Sequence, residues 1–373
     1  MLVTQHAPIA STAGEEVARN ESEPLTVRVT RPFDAETPVH EFRSFLTPTS
    51  RFFVRSHFGP PPPDALSEAQ WTLRVGGLVE RAQTFTLNAL HQMDAITITA
   101  VVQCSGNGRA FYQPKVPGVQ WERGAVGNAE WTGVRLRDLL MKAGMHAEAQ
   151  HVQFQGADRP VVASVPLFTR SIPLKKALHP DTILAYAMNG RPLPLLHGAP
   201  LRVITPGWMA DSCIKWLTEI TVQAEASTGY YMETAYRVPT QPVEVGTTPN
   251  VPSTPVEAMG VKSLITAPQN GATVPAGPVM IHGVAWSGEA TVVQVEVSFD
   301  EGTTWEPARL VGDERPYAWR QWQVVWQATT AGTVTILCRA TDASGAQQPA
   351  TTPWNPSGFV WNGWDRLSVT VTA

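Results

Sequence analysis

Cysteine is scarce in this chain. Its 373 residues include three, Cys104, Cys213 and Cys338, and none stands in a CxxC or CxxCH pattern. A disulfide framework and a CxxC zinc site are excluded, since at most one bridge could form and one thiol would be left over. Covalent haem attachment lacks its motif, so no haem is expected in this chain. No run of about 20 apolar residues occurs, so no membrane span is expected. The formal charge is only −4, with acids and bases mixed along the chain, which gives no footprint for nucleic acid. The N-terminal stretch MLVTQHAPIASTAGEEVARNESEP has neither a basic start nor an apolar centre, so it reads as lacking an intact secretory signal. Both a cytosolic chain and an exported, already processed one fit that reading.

What is present suits two or three domains with substantial cores, at 43% hydrophobic residues. Proline (32) and tryptophan (13) are plentiful while helical periodicity is sparse, which favours short strands and loops. Residues 1–45 read as an irregular arm. Residues 46–236 read as mixed α and β, with strands expected in FVRSH, as a pair around Gly76-Gly77 in WTLRVGGLV, and in TITAVVQC, HVQFQGAD, Val161–Val165 and LRVITPG. One amphipathic helix is expected in VRLRDLLMKAGM, with Leu136, Leu139, Leu140 and Ala143 on one face. Residues 237–257, dense in proline and threonine, read as an extended connection. Residues 258–373 contain VMIHGVAW, VVQVEVSFD, WRQWQVVW, VTILCRATD and RLSVTVTA, short alternating strands that argue for a β-sandwich. Cys338 lies inside one of them and reads as core.

The chemistry concentrates in the mixed region. VVQCSGNGRA places Cys104 where a strand gives way to a glycine-broken loop, with Arg109 at its far side. Arg55 and His57 share a face if FVRSH is extended. His197, Arg202, Lys215 and Tyr236 follow. Four cations, two histidines, a thiol and a phenol form a set suited to phosphate or an oxyanion.

CSGNGR, NAEWTGVRLRDLL, NGRPLPLLHGAPLRVITPGW and IKWLTEI, in that order, resemble the sulfite oxidase family of molybdenum enzymes. The resemblance covers nearly the whole chain beyond the arm. It implies an α+β molybdopterin-binding domain followed by an immunoglobulin-like sandwich. It also implies one molybdopterin whose molybdenum takes the Cys104 thiolate, a soft ligand suited to a sulfur-held metal. By the same resemblance, Phe53, Val54, Arg55, Ser56, His57, Asp158, His197, Arg202, Cys213, Ile214 and Lys215 contact the cofactor. Arg55, His57, Arg109 and Tyr236 serve the substrate pocket, with Trp121 nearby. The implied reaction is sulfite oxidation to sulfate, with electrons passed singly to a c-type cytochrome. That points to the periplasm and to a heterodimer with a cytochrome or a homodimer. Nitrate or sulfoxide reduction is the alternative within the family, and a non-catalytic binding protein the alternative outside it. Two departures stand out. Gly108 replaces the first of two arginines in the animal loop, and Ser357 of WNPSG faces an arginine that the animal enzymes carry. Arg366 stands as a candidate replacement for the latter.

Overall fold

The computed structural model describes residues 24–62, 65, 67–247 and 250–373. The first 23 residues of the expected arm lie outside the described residues. Its remainder forms a small hairpin, Thr26–Val29 against Asp34–Glu36, followed by a short 3₁₀ segment, Val39–Arg43.

The mixed region holds two sheets. One runs in the order Arg191–Pro192, Ile183–Met188, Val126–Arg135, Ala95–Gln103, with Arg202–Ile204 also paired to Ile183–Met188. The other runs Gln83–Thr86, Thr72–Gly77, Leu217–Gln223, His151–Gly156, Thr169–Pro173. In His151–Gly156 the alternation is clean: Val152 and Phe154 point into the core while their neighbours stay partly exposed, as the period-two rule requires. The helix forms over Leu136–Ala143, and its four apolar residues are all fully buried.

Three strand expectations need correction. WTLRVGG is one strand, Thr72–Gly77, rather than a pair. FVRSH is not a strand: Val54 makes only an isolated bridge to Ala35. The Ser56 amide donates to the buried Asp34 carboxylate at 2.9 Å, a side-chain acceptor that replaces a ladder partner. Val161–Val165 is an exposed loop, with Val161 wholly in solvent. Pro160 and Pro166 bracket that β-branched run and restrict its entry into a ladder.

The C-terminal region is the immunoglobulin-like β-sandwich. Lys262–Ala267, Gly277–Trp286, Arg320–Ala328 and Arg309–Val311 form one sheet. Thr273–Pro275, Asp365–Thr372, Gly332–Asp342, Val292–Ser298 and Glu306–Pro307 form the other. Cys338 is buried in the core they share. The expected extended connection doubles back on itself, since Arg237–Pro239 pairs antiparallel with Ser253–Pro255.

The sandwich buttresses the strand that leads to Cys104. Val101 and Val126 share an apolar cluster with Met259, Leu264, Val284, Trp286 and Trp319. Each such side chain removed from water contributes roughly 1.5–3 kcal/mol. The Val101 amide donates to Tyr317 O at 2.8 Å, and Trp286 Nε1 donates to Gln103 Oε1 at 2.7 Å.

Candidate active site

Ala95–Gln103 pairs in unbroken register with Val126–Arg135, ending at Gln103 opposite Val126. Cys104 is the next residue, so a rigid two-stranded ladder delivers its sulfur. The turn behind it is closed by the Asn107 amide donating to Cys104 O at 2.9 Å. Asn107 Oδ1 accepts from the Ala125 amide at 3.2 Å. Gly108 then takes φ +96°, and a Cβ there would lie 2.5 Å from Trp361 Cδ1. The arginine of the animal loop therefore has no room here.

Cys104 opens onto a cavity of about 740 Å³, its mouth included. Phe53, Arg55, Ser56, His57, Asp158, His197, Arg202, Cys213, Ile214, Lys215 and Tyr236 all line it. The chain thus brings together segments as far apart in sequence as Phe53 and Tyr236. Val54 does not line it; its side chain is buried and its backbone bridges to Ala35.

The cavity is built for an anion. Arg202 is buried, and its two terminal nitrogens donate to His197 O at 2.9 Å and Cys213 O at 3.2 Å. Its Nε has no partner among the described residues, a costly state for a buried donor unless a ligand accepts from it. Lys215 Nζ donates to Ser56 Oγ at 2.6 Å and Leu196 O at 2.9 Å. Burial, then the Arg202 charge, lowers the Lys215 ammonium to about 7. Burial raises the Asp158 carboxyl to about 6, against the pull of Lys215. His197 is lowered to about 3 by burial and then by Lys215 and Arg202, so it is neutral at pH 7. An added negative charge would relieve this crowding of cations.

At the other end, Tyr236 Oη and His57 Nε2 lie 2.6 Å apart. Burial, then the Arg55 charge, holds His57 well below its ordinary value, while burial raises the Tyr236 phenol. Both are therefore neutral at pH 7. Arg55 Nη1 donates to Asp34 Oδ2 at 3.0 Å, and Nη2 sits 3.3 Å from His57 Nδ1. The proximity of Arg55 and His57 arises from this clamp and not from strand alternation. His57 stacks on Phe168 with ring centroids 4.4 Å apart.

Arg109 does not line the cavity. Its Nε donates to Ser357 O at 3.2 Å and Nη1 to Val119 O at 3.1 Å, and the guanidinium lies 4.9 Å from the Phe359 ring centroid. Two carbonyls and an aromatic face hold it one layer behind the wall. Phe359 in turn stacks on Tyr236, ring centroids 5.1 Å apart. Trp121 is also buried outside the cavity lining. Arg366 is largely exposed, pairs with Glu301 at 2.9 Å and lies outside the cavity lining, so it does not replace the arginine missing at Ser357.

Sequence reasoning missed Asp34, Phe168 and Asp211. Asp34 lies in the arm, where a lone aspartate carries no local signal. Asp211 and Phe168 sit in segments whose apolar or proline-broken texture reads as framework.

The comparisons with known proteins fall in with this geometry. The family model described as oxidoreductase molybdopterin binding domain matches residues 58–231, and that described as Mo-co oxidoreductase dimerisation domain matches residues 253–372. The site is thus that of a molybdopterin-binding oxidoreductase. Sulfite oxidase of Gallus gallus is 35% identical over 358 residues, covering 92% of this chain and 77% of that protein. Mitochondrial sulfite oxidase of Rattus norvegicus is 35% identical over 362 residues, covering 93% of this chain and 66% of that protein. Among solved structures, the sulfane dehydrogenase SoxCD from Paracoccus pantotrophus aligns with a TM-score of 0.79 at 28% identity, over 95% of this chain and 87% of that one. The chain belongs to the sulfite oxidase family.

Molybdopterin fits the residues present. The thiol of Cys104, the orphaned Arg202 Nε and the crowded Lys215 ammonium face one cavity. A phosphate-bearing, sulfur-coordinated metal group asks for these donors.

Proposed function

We propose that this chain oxidises sulfite to sulfate in the periplasm and passes the electrons singly to a c-type cytochrome. The observation that carries the reading is the convergence of the Cys104 thiol with Arg55, Arg202 and Lys215 on a single cavity that also holds the neutral Tyr236–His57 pair. Cys104 would hold the metal. Arg202, Lys215, His197 and Asp158 would hold the pterin and its phosphate, with Phe53, Ser56, Cys213 and Ile214 as walls. When bound, the group supplies oxygen-atom transfer and a two-electron sink.

The chain's own residues do the rest. Arg55 presents a guanidinium to the incoming oxyanion, and its fixed fork offers charge-assisted bonds at a defined angle. Asp34 keeps that fork aimed. Arg109 supports the wall from behind through Phe359 and adds positive potential without touching the anion. Tyr236 keeps its proton at neutral pH, so it can donate to a substrate oxygen instead of repelling it. His57 accepts from or donates to Tyr236 Oη and, being neutral, does not compete with Arg55 for the anion. The rings of Phe168 against His57 and of Phe359 against Tyr236 limit water around this end. Overall, sulfite and water give sulfate, two protons and two electrons. A one-electron haem acceptor must therefore react twice. Such a partner could be a permanent subunit in a heterodimer, or a soluble cytochrome meeting a homodimer.

The test is sulfite-dependent reduction of cytochrome c by purified protein of measured molybdenum content, with nitrate reduction and sulfane oxidation assayed beside it. Stoichiometric molybdenum and turnover with sulfite and cytochrome are expected. Protein without molybdenum-binding capacity, or turnover only with nitrate or a sulfane, would overturn the reading. Charge steering of a small redox partner predicts a rate that falls as salt rises.

A further inference from the structure

Asp211 in the cavity wall belongs to a buried ion pair that the proposed chemistry does not use. Arg170 Nη2 and Asp211 Oδ2 lie 2.6 Å apart, with side chains 2% and 0% exposed. Each partner reaches a different part of the site. Asp211 Oδ1 accepts from Ser105 Oγ at 2.6 Å, and Ser105 follows the thiol residue directly. Arg170 Nη1 donates to Tyr231 O, and Nη2 also donates to Val256 O at 3.3 Å. The second carbonyl belongs to the direct backbone neighbour of Tyr236, because the Val256 amide donates to Tyr236 O at 2.8 Å. The Arg170 guanidinium also lies 5.5 Å from the centroid of the Tyr236 ring. Tyr236 itself takes φ +56°, a left-handed conformation seldom adopted by a bulky residue unless its surroundings impose it.

We propose that the Arg170–Asp211 pair is a positioning device that ties the Cys104 loop to Tyr236 and fixes the thiol sulfur relative to the phenol oxygen. Apolar residues of like volume could fill this space at least as stably, because burying two charges costs their hydration. The pair's distinctive contribution is geometric. One planar fork grips the carbonyls of Tyr231 and of Val256, the latter hydrogen-bonded to Tyr236, and one carboxylate bridges that fork to the hydroxyl beside the thiol. Neither Arg170 nor Ser105 needs to touch substrate for this role. The placement of Tyr236 at the reacting centre rests on the function proposed above, but the mechanical link does not.

Two conservative variants of the full chain test the link. Ser105→Ala removes only the hydroxyl between Asp211 and the cysteine loop. Arg170→Lys keeps a charge opposite Asp211 but loses the fork. Hydrogen exchange of the Val256 amide, measured on the purified chain, reads the Tyr236 side directly. At least fivefold faster exchange is expected in Arg170→Lys, and also in Ser105→Ala although Ser105 makes no contact there. In molybdenum-matched protein, both variants are expected to lower kcat/KM for sulfite fivefold or more. The double variant should lose no more than about twofold beyond the worse single variant, because residues in one network do not act additively. Unchanged Val256 exchange in Ser105→Ala overturns the proposal, even if Arg170→Lys fails to fold. Losses that simply multiply in the double variant overturn it too. If the wild-type chain shows no sulfite turnover, the exchange results still decide the link, so the two failures are told apart.

Discussion

Asp34→Asn isolates the contribution of one buried charge to the aim of Arg55. The Asp34 side chain is 1% exposed. Its Oδ1 accepts from the Ser56 amide and its Oδ2 from Arg55 Nη1. Asparagine can keep the first bond through its carbonyl oxygen. Its amide group would then turn two N–H donors toward the donors of Arg55. A charge-assisted bond is lost, worth about 1.5–3 kcal/mol. At about 1.36 kcal/mol per factor of ten, kcat/KM should fall roughly ten- to hundred-fold. Because Arg55 would keep its charge but lose its aim, the rise in KM should exceed the fall in kcat. Asp34→Ala should be worse, since it also orphans the Ser56 amide. The assay is steady-state sulfite kinetics at matched molybdenum content, with circular dichroism to confirm the fold. An Asp34→Asn enzyme with wild-type KM and kcat would refute the claim that this carboxylate orients Arg55.

Cys104→Ser should abolish sulfite oxidation in folded protein, because a hydroxyl is a poor substitute for a soft thiolate; metal analysis beside activity checks this. Tyr236→Phe removes the 2.6 Å contact with His57 and the proposed donor to substrate, and should lower kcat/KM about tenfold at the usual cost of one hydrogen bond. In cofactor-free protein, Lys215 loses its proton near pH 7, whereas an unfolded lysine holds its proton to about pH 10.4. The unfolded chain binds more protons between those values, so stability should rise with pH across that window. Urea denaturation from about pH 7 to 10 should show that rise in wild type but not in Lys215→Met, and parallel curves would refute the burial-lowered titration of Lys215.

Much of this architecture is legible in the sequence for identifiable reasons. The Leu136–Ala143 helix announces itself because all its core contacts come from one periodic face. The sandwich strands do so because each alternates on its own. The Cys104 turn is legible because glycines and a polar run interrupt an apolar strand. FVRSH misleads because its backbone partner is a side chain 22 residues upstream, which no local pattern encodes. Arg170 is opaque for a related reason: nothing in LFTRSIP marks it, and its burial rests on Asp211, Tyr231 and Val256, all distant in sequence. The loop after Cys104 carries Arg109 near the cavity, yet the depth of its guanidinium depends on Ser357 and Phe359, far along the chain.

The segment 355–361 binds the sandwich to the thiol loop at several points. The Val360 amide donates to Ser105 O at 2.9 Å, Tyr112 Oη donates to Phe359 O at 2.6 Å, and Trp361 occupies the space beside Gly108. For recombination between relatives, this makes the obvious crossover point the wrong one. A chimera joined within residues 237–257 would pair one parent's loop with the other's 355–361. An arginine at 108 beside Trp361, or a glycine there facing a smaller residue, would then leave either a collision or a void against the Cys104 turn. Position 108 and residues 355–361 therefore form one exchangeable cassette, although almost 250 residues of sequence lie between them.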